Sequence, residues 1–233
     1  MLKLKTYTVD RYIIKILVNN LYINNLINLI YKEFFMAKTG RPRSFDRNEA
    51  LKQALYLFWS YGYESTSLSQ LKAGMGNISS PSFYAAFGSK ENLFKEASQY
   101  YIDHYATVTD PLWDDSLSSK DAIEMTLKLS LDMQYDVDHP LGCMVVLTTM
   151  MAPSLEHQHV TEILKDSAQR THEGFIRTLQ RGMESGELSS EINITGLAAL
   201  LESFLIGITS LARNGVEKSD SEYGIKQLLK LLV

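Results

Sequence analysis

Between residues 46 and 89 the sequence packs helix start and stop signals so closely that few folds can accommodate them. Asp46 and Glu49 stand in capping-box spacing ahead of an apolar stripe, Ala50, Leu51, Ala54, Leu55 and Phe58, which Gly62 stops. Ser67-Leu68-Ser69-Gln70 forms a second capping box, opening a short helix that ends near Gly74–Gly76. Ser80-Pro81 reads as an N-cap with proline at the first helical position, starting a helix that Gly88 ends after Phe87. Ser89 caps the next helix, which carries Leu93, Phe94 and Ala97 on one side. Residues 45–105 therefore predict four helices, two of them very short. Two short helices joined by a glycine-containing turn make a helix-turn-helix.

The remainder predicts helices as well. Proline is scarce, with 5 in 233 residues, and no alternation of apolar and polar residues lasts long enough for a sheet. Asp110-Pro111 and the stretch Trp113–Lys120 mark a loop. Helices are expected at about 120–137, 141–151, 157–185, 193–214 and 217–232. With 45% apolar residues the chain can bury a sizeable core, and its fold class is all-α. Its single cysteine, Cys143, excludes a disulfide framework and a cysteine zinc site. No metal and no cofactor is expected, and a cytoplasmic location is the default.

Charge divides the chain. Residues 1–35 carry net +3, residues 36–104 net +2 and residues 105–233 net -9. That split suits one part that faces nucleic acid and one that does not. Residues 1–35 contain no Gly, Ala or Pro, and are rich in Ile, Leu, Asn, Tyr and Lys, residues that AT-rich codons specify. We expect this stretch to be a dispensable extension ahead of Met36. A membrane span at Tyr12–Tyr31 is the rival, but Lys15, Asn19, Asn20, Asn24, Asn25 and Asn28 interrupt it.

From Gly40 to Leu93 the sequence resembles the TetR/AcrR family of bacterial transcriptional regulators. The resemblance lies in Gly40-Arg41-Pro42-Arg43, in Phe58 with Gly62-Tyr63, in Thr66-Ser67-Leu68 with Leu71, in Gly76, and in the run Pro81 to Leu93 that contains Tyr84, Phe87, Ser89, Lys90 and Glu91. One residue departs from the family spacing. Gly76 and Tyr84 lie eight steps apart rather than seven, as though Asn77 were inserted in the turn. The resemblance implies a helix-turn-helix DNA-binding domain over residues 40–100, with the motif at about 67–87, and a helical ligand-binding and dimerisation domain over 101–233.

It also implies roles. Ser67, Ser80, Pro81, Ser82, Tyr84 and Lys90 would meet DNA, while Phe83 and Phe87 point inward. By their residues alone, Arg41 and Arg43 on the Gly/Pro-containing arm either enter a flanking minor groove or form a disordered basic tail. No arginine lies between residues 48 and 169, so the recognition helix lacks the bidentate guanine reader. Readout then falls to serine, tyrosine, methyl contacts or DNA shape. Leu197, Leu201, Phe204, Leu205, Ile208, Leu228 and Leu232 resemble the family's dimer seam. Met125, Met133, Met144, His172 and Phe175 suggest a soft interior for an inducer.

The expected function is a homodimeric, sequence-specific regulator, a repressor released from a palindromic double-stranded operator by an unknown small-molecule inducer, with no membrane partner. Enzyme chemistry is not expected. His157 and His159 are two apart, about 200° around a helix, and no phosphate loop or nucleophile elbow is present. The alternatives are a redox sensor using Cys143 and a helical protein-interaction module.

Overall fold

The structure, a computed structural model, describes residues 46–151 and 154–232. The extension at 1–35 and the arm bearing Arg41 and Arg43 lie outside the described residues. Among the described residues all regular structure is helical. Four helices come first, α1 (Arg47–Tyr61), α2 (Leu68–Gly74), α3 (Ser80–Phe87) and α4 (Lys90–His104). A 3-10 helix at Ala106–Trp113 leads into α5 (Ser119–Gln134) and the short α6 (Met144–Met150). A second 3-10 helix at Leu155–Thr161 precedes the long α7 (Glu162–Glu184). α8 (Ile194–Arg213) and α9 (Lys218–Leu228) follow, and the 3-10 turn Leu229–Leu232 completes the order.

The caps explain most of these boundaries, with two departures from the sequence reading. Asp46 caps α1 by accepting the Asn48 and Glu49 amides at 2.8 and 3.2 Å. Glu49 does not return the box, because its carboxylate accepts from Gln53 one turn on. α3 is capped by Ser79 rather than Ser80: the Ser79 hydroxyl accepts the Ser82 amide at 3.2 Å, which moves Pro81 one position into the first turn. Where a loop was expected, the segment ahead of Trp113 winds into the 3-10 helix, with Pro111 and Leu112 buried.

Two apolar clusters hold the fold together. The first joins α1–α4 through Phe58, Trp59, Leu71, Phe83, Phe87, Phe94 and Tyr101, and it also takes in Met144, Val145, Val160 and Leu164 from beyond residue 140. The second packs Ile123, Leu127 and Leu131 of α5 against Phe175 and Leu179 of α7 and Leu201 and Ile208 of α8. By length and composition α8 could cross a membrane. Its Ala198, Leu201, Leu205, Ile208 and Ala212 are instead buried within the fold.

Candidate nucleic-acid interface

Whether α2 and α3 can act as a reading unit depends on the turn between them. Gly76 and Asn77 both adopt left-handed backbone, at φ of 83° and 57°. Asparagine tolerates that region better than most residues with a Cβ. The additional residue is thus taken up as a second left-handed step. Met75 and Ile78, both buried, anchor the turn on either side, and the Ile78 amide reaches back to the Lys72 carbonyl at 3.1 Å. Across the motif, Lys72 Nζ donates to Ser80 Oγ at 2.8 Å, tying the end of α2 to the start of α3.

Phe83 and Phe87 face inward, as expected, at 0% and 3% exposure. Their neighbour Tyr84 is 53% exposed on the flank of α3, its ring edge-on to Phe83 at 5.4 Å, beside exposed Pro81 and Ala85. Ser79 and Ser82 hydroxyls lie 2.9 Å apart at the helix entrance, where Pro81 has no amide proton and the Ser82 amide is already taken by Ser79. The tip is polar through its hydroxyls rather than through free amides. Ser67 is exposed at the start of α2, where its hydroxyl both caps the Gln70 amide at 3.2 Å and donates to Gln70 Oε1 at 2.7 Å. Lys90, in the first turn of α4, lays its ammonium 4.2 Å from the centre of the Tyr63 ring. Burial there lowers its pKa, while the Glu64 charge acts the other way.

Arg47 was not singled out by the sequence. Its guanidinium meets both Glu96 oxygens at 2.7 and 3.0 Å, donates to the Ala86 carbonyl at 3.2 Å and covers the Phe87 ring at 4.7 Å. One side chain from the first turn of α1 therefore clamps the far end of α3 to α4.

α4 continues from this head into the rest of the molecule. At its far end the buried Tyr101 reaches a cavity of about 120 Å³ lined by Ser130, Met133, Gln134, Cys143 and Glu202 among others. Of the five residues expected to line a pocket, Met133 does so. Met144 and Phe175 are fully buried in the first and second apolar clusters. Met125 is 45% exposed on the surface. His172 stands outside the cavity, bonded through Nδ1 to the lining Glu202 at 3.0 Å. The signal that was missed is a polar stripe on the buried face of α5. Thr126, Ser130 and Gln134 recur every four residues between apolar neighbours, and all three are buried.

The dimer seam expected from sequence divides differently. Leu201, Leu205, Ile208, Leu228 and Leu232 are buried in the chain's own core, and Leu197 and Phe204 are partly buried against it. The open side of α8 carries Leu200 and Ile206, 44% and 40% exposed, together with exposed Ala199, Ser203 and Ser210, and next to it stand exposed Tyr223 and Leu231. Because α8 is apolar around most of its circumference, periodicity cannot separate its inner stripe from its outer one.

Comparison with known proteins agrees with this architecture. The family description "Bacterial regulatory proteins, tetR family" matches residues 50–97. Over 179 residues the chain is 31% identical to the HTH-type transcriptional repressor ComR of Escherichia coli K12, covering 76% of this chain and 83% of that one. Over 108 residues it is 34% identical to the HTH-type transcriptional repressor BdcR of the same organism, covering 46% and 54%. Among solved structures it is similar to a cysteine-substituted form of the TetR family regulator CifR complexed with a 26-base-pair operator duplex. There the TM-score is 0.72 and the identity 31%, over 83% of this chain and 100% of the other. With helix-turn-helix, helical C-terminal body and relatives in agreement, the chain belongs to the TetR family and is a sequence-specific DNA-binding transcriptional regulator.

Proposed function

We propose that the protein is a cytoplasmic repressor, without enzymatic activity, that grips a palindromic operator as a homodimer and lets go when a small molecule enters the cavity. The observation that carries this reading is the path of α4. Its first turn follows directly on the recognition helix α3, and its last turns place Tyr101 on the cavity wall. A ligand that changes the cavity acts on the same helix that supports Phe83 and Phe87.

Tyr84, Pro81 and Ser82 are the groups of α3 that meet the major groove, with Ser80 held in place by Lys72. Ser67 and Lys90 meet flanking phosphates once they turn from Gln70 and Tyr63, and Arg41 and Arg43 extend the contact from the arm. Two copies, joined through Leu200, Ile206, Tyr223 and Leu231, set their recognition helices about 34–36 Å apart, one helical turn of DNA. Moving such a dimer from 1:99 to 99:1 in favour of the released state takes about 5.5 kcal/mol of differential ligand affinity.

Fluorescence anisotropy on DNA from the chain's own upstream region, beside a scrambled duplex, tests the reading. Saturable binding that prefers its own DNA and weakens as salt rises is expected. Tyr84→Ala should weaken that binding while gel filtration still shows a dimer. Equal affinity for both duplexes, or a monomeric Tyr84→Ala protein, would overturn the division of labour.

A further inference from the structure

Cys143, the single cysteine, lines the cavity and immediately precedes α6. Two features of the wall around it bear on what it could hold. Ser130, on the same wall, is 3% exposed, and its hydroxyl has no hydrogen-bond partner among the described residues. Leaving such a group unpaired costs about 1–3 kcal/mol, a cost that an acceptor entering the cavity would relieve. The second feature is a directed chain of donors. The Met144 amide donates to Tyr101 Oη at 3.3 Å, and Tyr101 Oη lies 3.3 Å from Cys143 Sγ. The phenol oxygen accepts there, and Cys143 Sγ is the other partner of this buried hydroxyl among the described residues, so its proton is paired only when it faces the sulfur.

We propose that the cavity captures a small, soft carbon electrophile of the α,β-unsaturated carbonyl class, which forms a covalent bond to Cys143 Sγ while Ser130 holds its carbonyl oxygen. This rests on the reading of the cavity as the effector site. In the reaction the sulfur forms a bond to the β-carbon as the carbon–carbon π bond opens. The thiol proton ends on the α-carbon, and the product is a saturated thioether. Nothing leaves, and no oxidant or reductant takes part. Tyr101 is a positioning residue, whose O–H bond to sulfur strengthens as negative charge develops there.

Three considerations favour this class. At about 120 Å³ the cavity falls well below the ~300–1,000 Å³ of pockets for drug-sized ligands and near the ~150 Å³ that holds benzene, so the ligand has few heavy atoms. Met133, Val145 and Leu205 give the wall an apolar side for a carbon skeleton. A peroxide sensor would need a second thiol to resolve the oxidised sulfur within the chain, and the sequence has none. Burial raises the Cys143 pKa, which keeps the sulfur protonated and slow towards reagents that are not held against it.

The adduct also stands where it can be felt. The Gly142 carbonyl, one residue before the sulfur, accepts Trp59 Nε1 of α1 at 3.1 Å. Tyr101 belongs to α4. Both helices form the core of the DNA-binding head.

The test uses the full chain, methyl vinyl ketone and its saturated counterpart butanone, with peptide mass mapping and anisotropy on upstream DNA. One vinyl ketone per chain on Cys143 is expected, with DNA release in step with the adduct and no release by butanone at the same concentration. Cys143→Ser should abolish both effects, with Cys143→Ala as the substitute if the serine protein does not fold. Tyr101→Phe should slow the adduct by roughly tenfold, the worth of one hydrogen bond to a charged group. Ser130→Ala should raise the half-saturating concentration more than it lowers the maximal rate. A bulky dye-maleimide should leave the folded chain untouched and label it in urea. Absence of the adduct from Cys143, undiminished release in Cys143→Ser, or equal release by butanone would each overturn the proposal. If the untreated chain showed no preference for its own DNA, the regulatory reading would fail, and the mass map would still judge the thiol.

Discussion

Replacing Gly142 by alanine tests the junction beside Cys143 with a magnitude that follows from geometry. The residue sits at φ of 86°, and a Cβ placed there would lie 2.9 Å from Thr209 Cγ2. Left-handed backbone costs an L-residue about 1–2 kcal/mol. Overpacking a methyl group against a buried one costs about 1–3 kcal/mol. The sum is about 3 kcal/mol, and at about 2–4 °C per kcal/mol for a chain of this size the melting point should fall by roughly 6–12 °C. Thr209→Ser separates the two terms, since it removes the methyl group and keeps the hydroxyl that donates to Gln134 at 2.6 Å. In a double-mutant cycle read by thermal denaturation, the second substitution should recover about 1–2 kcal/mol in the Gly142→Ala background. A single variant melting within about 1 °C of the parent, or a cycle with no coupling, would refute the reasoning.

Other consequences can be checked alongside. Leu200→Lys should convert the dimer to monomer in analytical ultracentrifugation with little change in secondary structure by circular dichroism, because Leu200 lies on the open side of α8 and outside the cavity lining. Arg47→Ala should weaken operator binding by loosening α3 and lower stability by about 1–2 kcal/mol, a figure kept low because Arg47 and Glu96 are 34% and 38% exposed; retained full affinity would count against the clamp. Glu64 and Glu91 are held below the usual carboxylate range, Glu64 chiefly by His157 and Glu91 chiefly by Lys95 with His159 second. Folding therefore gains from them above their unfolded pKa and loses that gain as pH falls through the folded value. Urea midpoints for the parent and for Glu64→Gln should converge as pH falls through the lowered folded pKa of Glu64, and parallel curves would refute the linkage.

How far the sequence reveals this molecule depends on how local each signal is. Ser67, Ser89 and the inward pair Phe83 and Phe87 are legible because a cap or a helical face is settled within a few residues. The cap of α3 slips by one because Ser79 and Ser80 both stand within reach of the Ser82 amide, and the Lys72–Ser80 bond leaves Ser79 for it. Arg47, Lys72 and the Trp59–Gly142 bond depend on tertiary approach, the last joining residues 83 apart in sequence. Methionines were a poor guide to the cavity, since flexible apolar side chains serve a core equally well. The polar residues buried on α5 were a better one, because a hydroxyl inside a protein needs a partner.

The recognition head has no core entirely its own. Met144, Val145, Val160 and Leu164 complete the same apolar cluster as Phe58, Leu71 and Phe83. A head cut away after α4 would expose this surface and lose the side chains that cover it. The helix-turn-helix and the helical body behind it should therefore melt in one transition. A molecule lodged beside Cys143 acts on the foundation of the DNA-reading surface, without needing a hinge to carry its message.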